Sequence, residues 1–118
     1  MGNQHDILGK FEEKVLLAVL RLKGDAYGAN IRQQVETAER LVNPQKTISI
    51  GAVYATLDRL ERKGFITSRH GESTQARGGR RKRYFEVLGT GELALTEAQR
   101  VRQELRQGGF GEALPQPA

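Results

Sequence analysis

Apolar residues recur at helical spacing in four stretches of the chain, and two short β-prone runs separate the third from the fourth. From Phe11 to Leu22, Phe11, Val15, Ala18, Val19 and Leu22 form one stripe, which Leu16, Leu17 and Leu20 widen beyond a usual core-facing arc. A helix so apolar is buried on two sides, and in a short chain the second side is expected to meet another subunit. From Gly28 to about Leu41, Tyr27, Ile31, Val35 and Ala38 face inward. Arg32, Gln33, Gln34, Glu36, Glu39 and Arg40 face out. The stretch after Ser49 places Ile50, Val53, Leu57 and Leu60 on one face, with Ala52, Ala55, Thr56, Arg59 and Arg62 opposite. From Glu92 to Gln107, Ala94, Ala98, Val101 and Leu105 follow a pairing-seam rhythm, while Leu93 and Leu95 are placed to pack on the domain itself.

Turn-forming residues punctuate these stretches. Lys23-Gly24-Asp25 is turn chemistry, and Ala26-Tyr27 can add a minimal strand. Asn43-Pro44 breaks the second helix, because proline lacks an amide donor and disfavours helix in the residue before it. Ser49 is an N-cap candidate, and Gly64 fits a left-handed C-cap. The β-prone runs Phe65 to His70 and Tyr84 to Leu88 flank a loop rich in glycine and arginine; Gly89 and Gly91 mark the next boundary. The predicted fold is mainly α with a small β-hairpin (α+β): a winged helix-turn-helix followed by a C-terminal dimerisation helix. Its predicted divisions are a flexible N-terminus over 1–8, the winged domain over 9–88, the dimerisation helix over 89–107 and a disordered tail over 108–118.

Composition narrows the function. In 118 residues there is room for one domain, and 37% hydrophobic content without tryptophan makes a lone monomer marginal. The net charge is +5, and Arg77, Arg80, Arg81, Lys82 and Arg83 supply as much within seven positions that hold no acid. Such a local field attracts phosphate. With no cysteine there are no disulfides or thiolate metal sites, and His5 and His70 have no acids at ligand spacing. The carboxylates are scattered on helix surfaces, several with a cation four residues on, as Asp58 with Arg62. No nucleophile–base pairing or phosphate-binding loop is evident, so neither an enzyme nor a cofactor is expected. The apolar run Val15 to Leu20 is too short for a membrane, and the N-terminus lacks a signal-peptide pattern. Asp6 stands where a myristoylation motif needs Ser or Thr, so a cytoplasmic location is expected.

A helix entering the DNA major groove must be small where it comes closest, and Ser49, Gly51, Ala52 and Ala55 meet that need. Ser49 and the first helical amides can take a phosphate at the positive end of the dipole. Thr56 and Arg59 are expected at base edges or backbone, Lys63 at phosphate, and Arg80, Arg81 and Lys82 at phosphates or the minor groove.

The chain resembles PadR-family transcriptional regulators of the short subfamily, through Tyr27-Gly28, the run Ser49-Ile50-Gly51-Ala52-Val53-Tyr54, and Leu57, Leu60, Glu61 and Gly64. Gly78 to Phe85 in the wing and Gly91 complete the match. Two positions depart from the family's pattern: Ala55 where proline is frequent, and Leu88 where a capping threonine is usual. The resemblance implies that the Tyr54 ring packs on the domain while its hydroxyl reaches phosphate. It implies a homodimer in which the last helix packs on the partner's first and last helices, through Leu16, Leu17, Leu20, Ala94, Ala98, Val101 and Leu105. It also implies repression of a nearby operon through an inverted-repeat operator in double-stranded DNA, relieved by a small-molecule effector near that interface. The rival readings are a protein-docking or architectural module, an RNA-binding domain and a hydrolase. Scarce exposed aromatics weigh against RNA, and no constellation supports a hydrolase.

Overall fold

The computed structural model describes residues 7–72 and 81–107. In chain order these form α1 (Lys10–Leu22), a 3-10 turn (Lys23–Asp25), α2 (Gly28–Glu39), α3 (Ile50–Arg62), β1 (Ile66–His70), β2 (Arg83–Val87) and α4 (Gly89–Leu105). The tail over 108–118 and residues 1–6 lie outside this description. Of the N-terminal residues expected to be loose, Leu8 packs against the core and the Ile7 carbonyl accepts a hydrogen bond from Lys63 Nζ.

Helix α1 runs through the centre. Val15, Leu16, Ala18 and Val19 are buried against Ile31 and Val35 of α2, Val53, Leu57 and Leu60 of α3, and Phe85 and Leu95 beyond. The wide apolar arc of α1 is therefore largely covered by its own domain. Leu16, expected at a subunit interface, is fully buried inside the monomer. Leu17 and Leu20 stay partly open.

Helix α2 stops at Glu39, two residues before Leu41, leaving Ala38, Leu41 and Val42 exposed. Its outward Glu36 organises the turn into α3. The carboxylate accepts from the Ile48 amide at 2.9 Å and from Arg32 Nη1 at 3.1 Å. The Ile48 amide, with Arg40 and Arg32 adding to it, holds the Glu36 carboxyl below its ordinary range. Ser49 then caps α3, its Oγ accepting from the Ala52 amide at 3.0 Å.

Gly64, at φ +80°, ends α3 in the expected left-handed conformation. The Phe65 amide returns to the Leu60 carbonyl and the Gly64 amide to the Glu61 carbonyl, both at 3.0 Å, which is a Schellman cap. Strands β1 and β2 pair antiparallel from Ile66 opposite Val87 to His70 opposite Arg83. Ala26-Tyr27 forms no full strand but joins the two-stranded sheet by a single bridge: Tyr27 bridges Tyr84, and the Phe85 amide donates to the Ala26 carbonyl at 2.8 Å.

Helix α4 begins at Gly89, three residues before the expected Glu92, with Leu88 as a cap that offers no side-chain acceptor. The Gly91 and Glu92 amides turn back to the Leu88 carbonyl instead. Leu95 packs on the domain as predicted, whereas Leu93 points away and is exposed.

Candidate nucleic-acid interface

Helix α3 buries Val53, Thr56, Leu57 and Leu60. On the opposite side Gly51, Ala55, Asp58 and Arg62, spaced four, three and four apart, form an exposed ridge. Ser49 and Ala52 are also exposed at its leading end. The ridge is shallow for its first two members and then carries one carboxylate and one guanidinium. Arg62 has no ion-pair partner among the described residues. Tyr54 leans to one side and packs its ring on the start of α2, so close that a Cβ added at Gly28 would stand 2.3 Å from the tyrosine oxygen. The Tyr27-Gly28 pair is thereby matched to Tyr54.

Four residues of α3 and its end are placed differently from expectation, three of them expected DNA contacts. Thr56 is buried, and its hydroxyl accepts from Arg59 Nη2 at 3.0 Å, so it does not reach a base. Ile50, expected in the core, is exposed in the first turn beyond the reach of the packed helices. Lys63 turns inward: its Nζ lies 2.8 Å from Glu12 Oε1 and also donates to the Ile7 carbonyl. Arg59 stands on the flank of α3 with Nε 3.3 Å from Glu12 Oε2. Glu12, only 6% exposed, is the hub. Burial pushes its carboxyl up, but the Gly9 amide at 2.7 Å together with Lys63 and Arg59 outweighs this and holds the acid below its ordinary value.

In the wing, Arg80 lies outside the described residues, and Arg81 is exposed. The Lys82 ammonium does not extend from the tip; it sits 3.8 Å from the centre of the Tyr27 ring, held by cation–π attraction. Arg83 is tied down further. Its Nη2 meets Glu61 Oε1 at 2.6 Å, its Nε donates to Ser68 Oγ at 3.2 Å, and its guanidinium covers the Phe85 ring. Asp58 faces this same arginine at 3.8 Å rather than Arg62. The wing base is therefore braced against α3 by acids that the α3 sequence supplies.

On the remaining face, Ala94 and Ala98 of α4 are half-buried, while Leu93, Val101 and Leu105 are exposed. A groove of about 470 Å³ between α1 and α2 is lined by Leu17, Ala18, Val35, Ala38 and Val42 together with Lys14, Arg21, Gln34 and Glu39. The described residues include no group of three His, Cys, Asp or Glu side chains able to hold a metal, and no helix long and apolar enough to cross a membrane.

This arrangement has counterparts. The model of the transcriptional regulator PadR-like family matches residues 16–97, which takes in all of α2, α3 and the hairpin. The chain belongs to the PadR-like family. It is accordingly a DNA-binding transcriptional regulator and not an enzyme. A PadR-like transcription factor from Bacteroides fragilis is 26% identical at a TM-score of 0.67, over 83% of this chain and 84% of that one. A transcriptional regulator from Clostridium thermocellum shares the fold at 19% identity and a TM-score of 0.65, over 87% and 92%. The Aeropyrum pernix ORC1 protein, solved in complex with DNA, has a similar unit at 19% identity and a TM-score of 0.62; the match covers 84% of this chain but 26% of that one. No curated protein matches the sequence. Arg62 stands on the outward face as the sequence indicated, whereas Asp58 is the ridge member that sequence reasoning missed. Its seven-residue relation to Gly51 was the signal that could have found it.

Proposed function

We propose that this PadR-like regulator acts as a cytoplasmic homodimer that reads an inverted-repeat operator in double-stranded DNA and represses a nearby operon until a small molecule binds. The observation that carries the reading is the exposed ridge Gly51, Ala55, Asp58, Arg62 on a helix capped by Ser49 and backed wholly by core. A helix whose leading end is small can lie deep in a major groove, and its first amides can receive phosphate. Tyr54 supports the ridge from one side. Arg81, exposed at the edge of the hairpin, is placed to reach the flanking backbone. Two copies related by a two-fold axis would present the two ridges about one helical turn apart, which requires an operator with the same symmetry.

Leu93, Val101 and Leu105, with Leu17 and the groove beside α1, supply the apolar surface for the second copy. Leu20, Ala94 and Ala98 border that surface, and an effector that loosens or tightens it would change the spacing of the two ridges. Leu16 takes no part, because it is enclosed by its own domain.

The test is a fluorescence-anisotropy titration with duplex DNA from immediately upstream of the gene, against a scrambled duplex of equal length at two salt concentrations. Affinity at least about 10³-fold higher for the upstream fragment is expected of a specific regulator. Equal affinity for both, falling steeply with salt, would replace this reading with non-specific architectural binding.

A further inference from the structure

Asp58 is an anomaly on a surface meant to meet a polyanion. It lies mid-ridge on α3, between Ala55 and Arg62, with its side chain 51% exposed. The fold does not require it. Arg83, its only ion-pair partner among the described residues, is already anchored by Glu61 at 2.6 Å, by Ser68 and by the Phe85 ring, and the contact to Asp58 is long at 3.8 Å. Most of the acceptor capacity of this carboxylate is thus unused within the monomer. The ridge members before it, Gly51 and Ala55, let the helix axis approach closely enough for so short a side chain to touch base edges.

We propose that Asp58 determines specificity by accepting a hydrogen bond from the exocyclic amine of a cytosine in the major groove. This rests on the DNA-binding reading above. Of the four bases, guanine offers two acceptors in that groove and thymine one acceptor and a methyl group, so both repel or waste a carboxylate. Adenine presents its amine beside the N7 acceptor, which opposes the second carboxylate oxygen. Cytosine presents a donor without an acceptor of its own beside it. Arg83, at the base of the wing, holds the carboxylate from behind and lessens its repulsion from the flanking phosphates. Arg62, one turn further on, supplies the compensating positive charge.

The test is selection from a random duplex pool by the full chain and by its Asp58→Asn and Asp58→Ala variants. Thermal unfolding accompanies it; midpoints are expected to stay unchanged, because Arg83 keeps its other anchors. The wild-type chain is expected to enrich a motif with one strongly preferred cytosine in each half-site. In Asp58→Ala that preference falls about tenfold or more while the other positions hold. In Asp58→Asn it moves from cytosine to adenine, since a carboxamide pairs in bidentate fashion with adenine. A purely structural role for Asp58 does not produce such a switch. If all three proteins enrich the same motif, Asp58 is not a reading residue, although the chain still reads DNA. If the wild-type chain enriches no motif, the sequence-specific reading itself falls and this assignment falls with it.

Discussion

Three groups converge on the buried Glu12 carboxylate, one from the residue just before α1 and two from α3 and the residue after it. The Gly9 amide, Lys63 and Arg59 together offset the cost of burying it. Glu12→Ala leaves Lys63 and Arg59 without their acid, and a loss of about 3 kcal/mol is expected in urea denaturation at neutral pH. The pH dependence follows from the direction of the shift. The folded carboxyl titrates below its ordinary value of 4.5, so its contribution is complete above that value and disappears as pH falls through the lower folded one. The stability gap between the wild-type chain and Glu12→Gln is therefore expected to hold from neutrality down to that ordinary value and to close as the pH falls below it. A gap that stays constant below it as well would mean that Glu12 acts through packing alone. The two cations were not legible as partners in the sequence, because they lie 47 and 51 residues away. Thr56 failed for another reason. Its position, three after Val53 and four before Leu60, is a core position, but its hydroxyl invited an outward reading; the buried hydroxyl is satisfied by Arg59.

Among the elements, the junction between α3, the hairpin and α4 is the tightest. The Leu88 amide donates to the Phe65 carbonyl at 2.9 Å, and the Thr90 hydroxyl reaches the Gly64 carbonyl. A Cβ added at Gly91 would stand 2.4 Å from the Phe65 carbonyl oxygen, which cannot give way without moving the strand. Gly91→Ala is thus expected to destabilise by about 1–3 kcal/mol in chemical denaturation. Gly89→Ala, with nothing within 4 Å of its added carbon, is expected to be neutral or slightly stabilising. Gly64 was readable in advance because a helix end needs a left-handed residue and few others supply it. The start of α4 was not, because Leu88 caps with its backbone only, and the nearest hydroxyl, Thr90, donates to the turn after α3. The helices were legible by period and the strands by composition, to within one to three residues.

At the scale of the whole molecule, the described apolar residues left most uncovered include Leu41 and Val42 after α2 and Leu93, Val101 and Leu105 on α4. Replacing Val101 and Leu105 together by Asp is expected to leave a folded monomer in sedimentation velocity, since both are already exposed in the single chain. Affinity for a full inverted repeat is expected to drop towards that for one half-site. A variant that remains dimeric would place the subunit interface elsewhere. The overall plan was visible in the sequence because each element repeats its own pattern. The inward turn of Lys63 and the seating of Lys82 on Tyr27 were not, since a cation read in sequence looks free until a distant acid or ring is found beside it. The junction at Gly64, Phe65 and Gly91 has a consequence for how such a chain can change. Its bonds run largely through main-chain carbonyls and amides, and the ridge of α3 contributes little to them. The residues of the proposed reading ridge can therefore be rewritten one at a time while the distance between α3 and α4 stays put. New binding preferences become accessible to the chain without passage through misfolded intermediates.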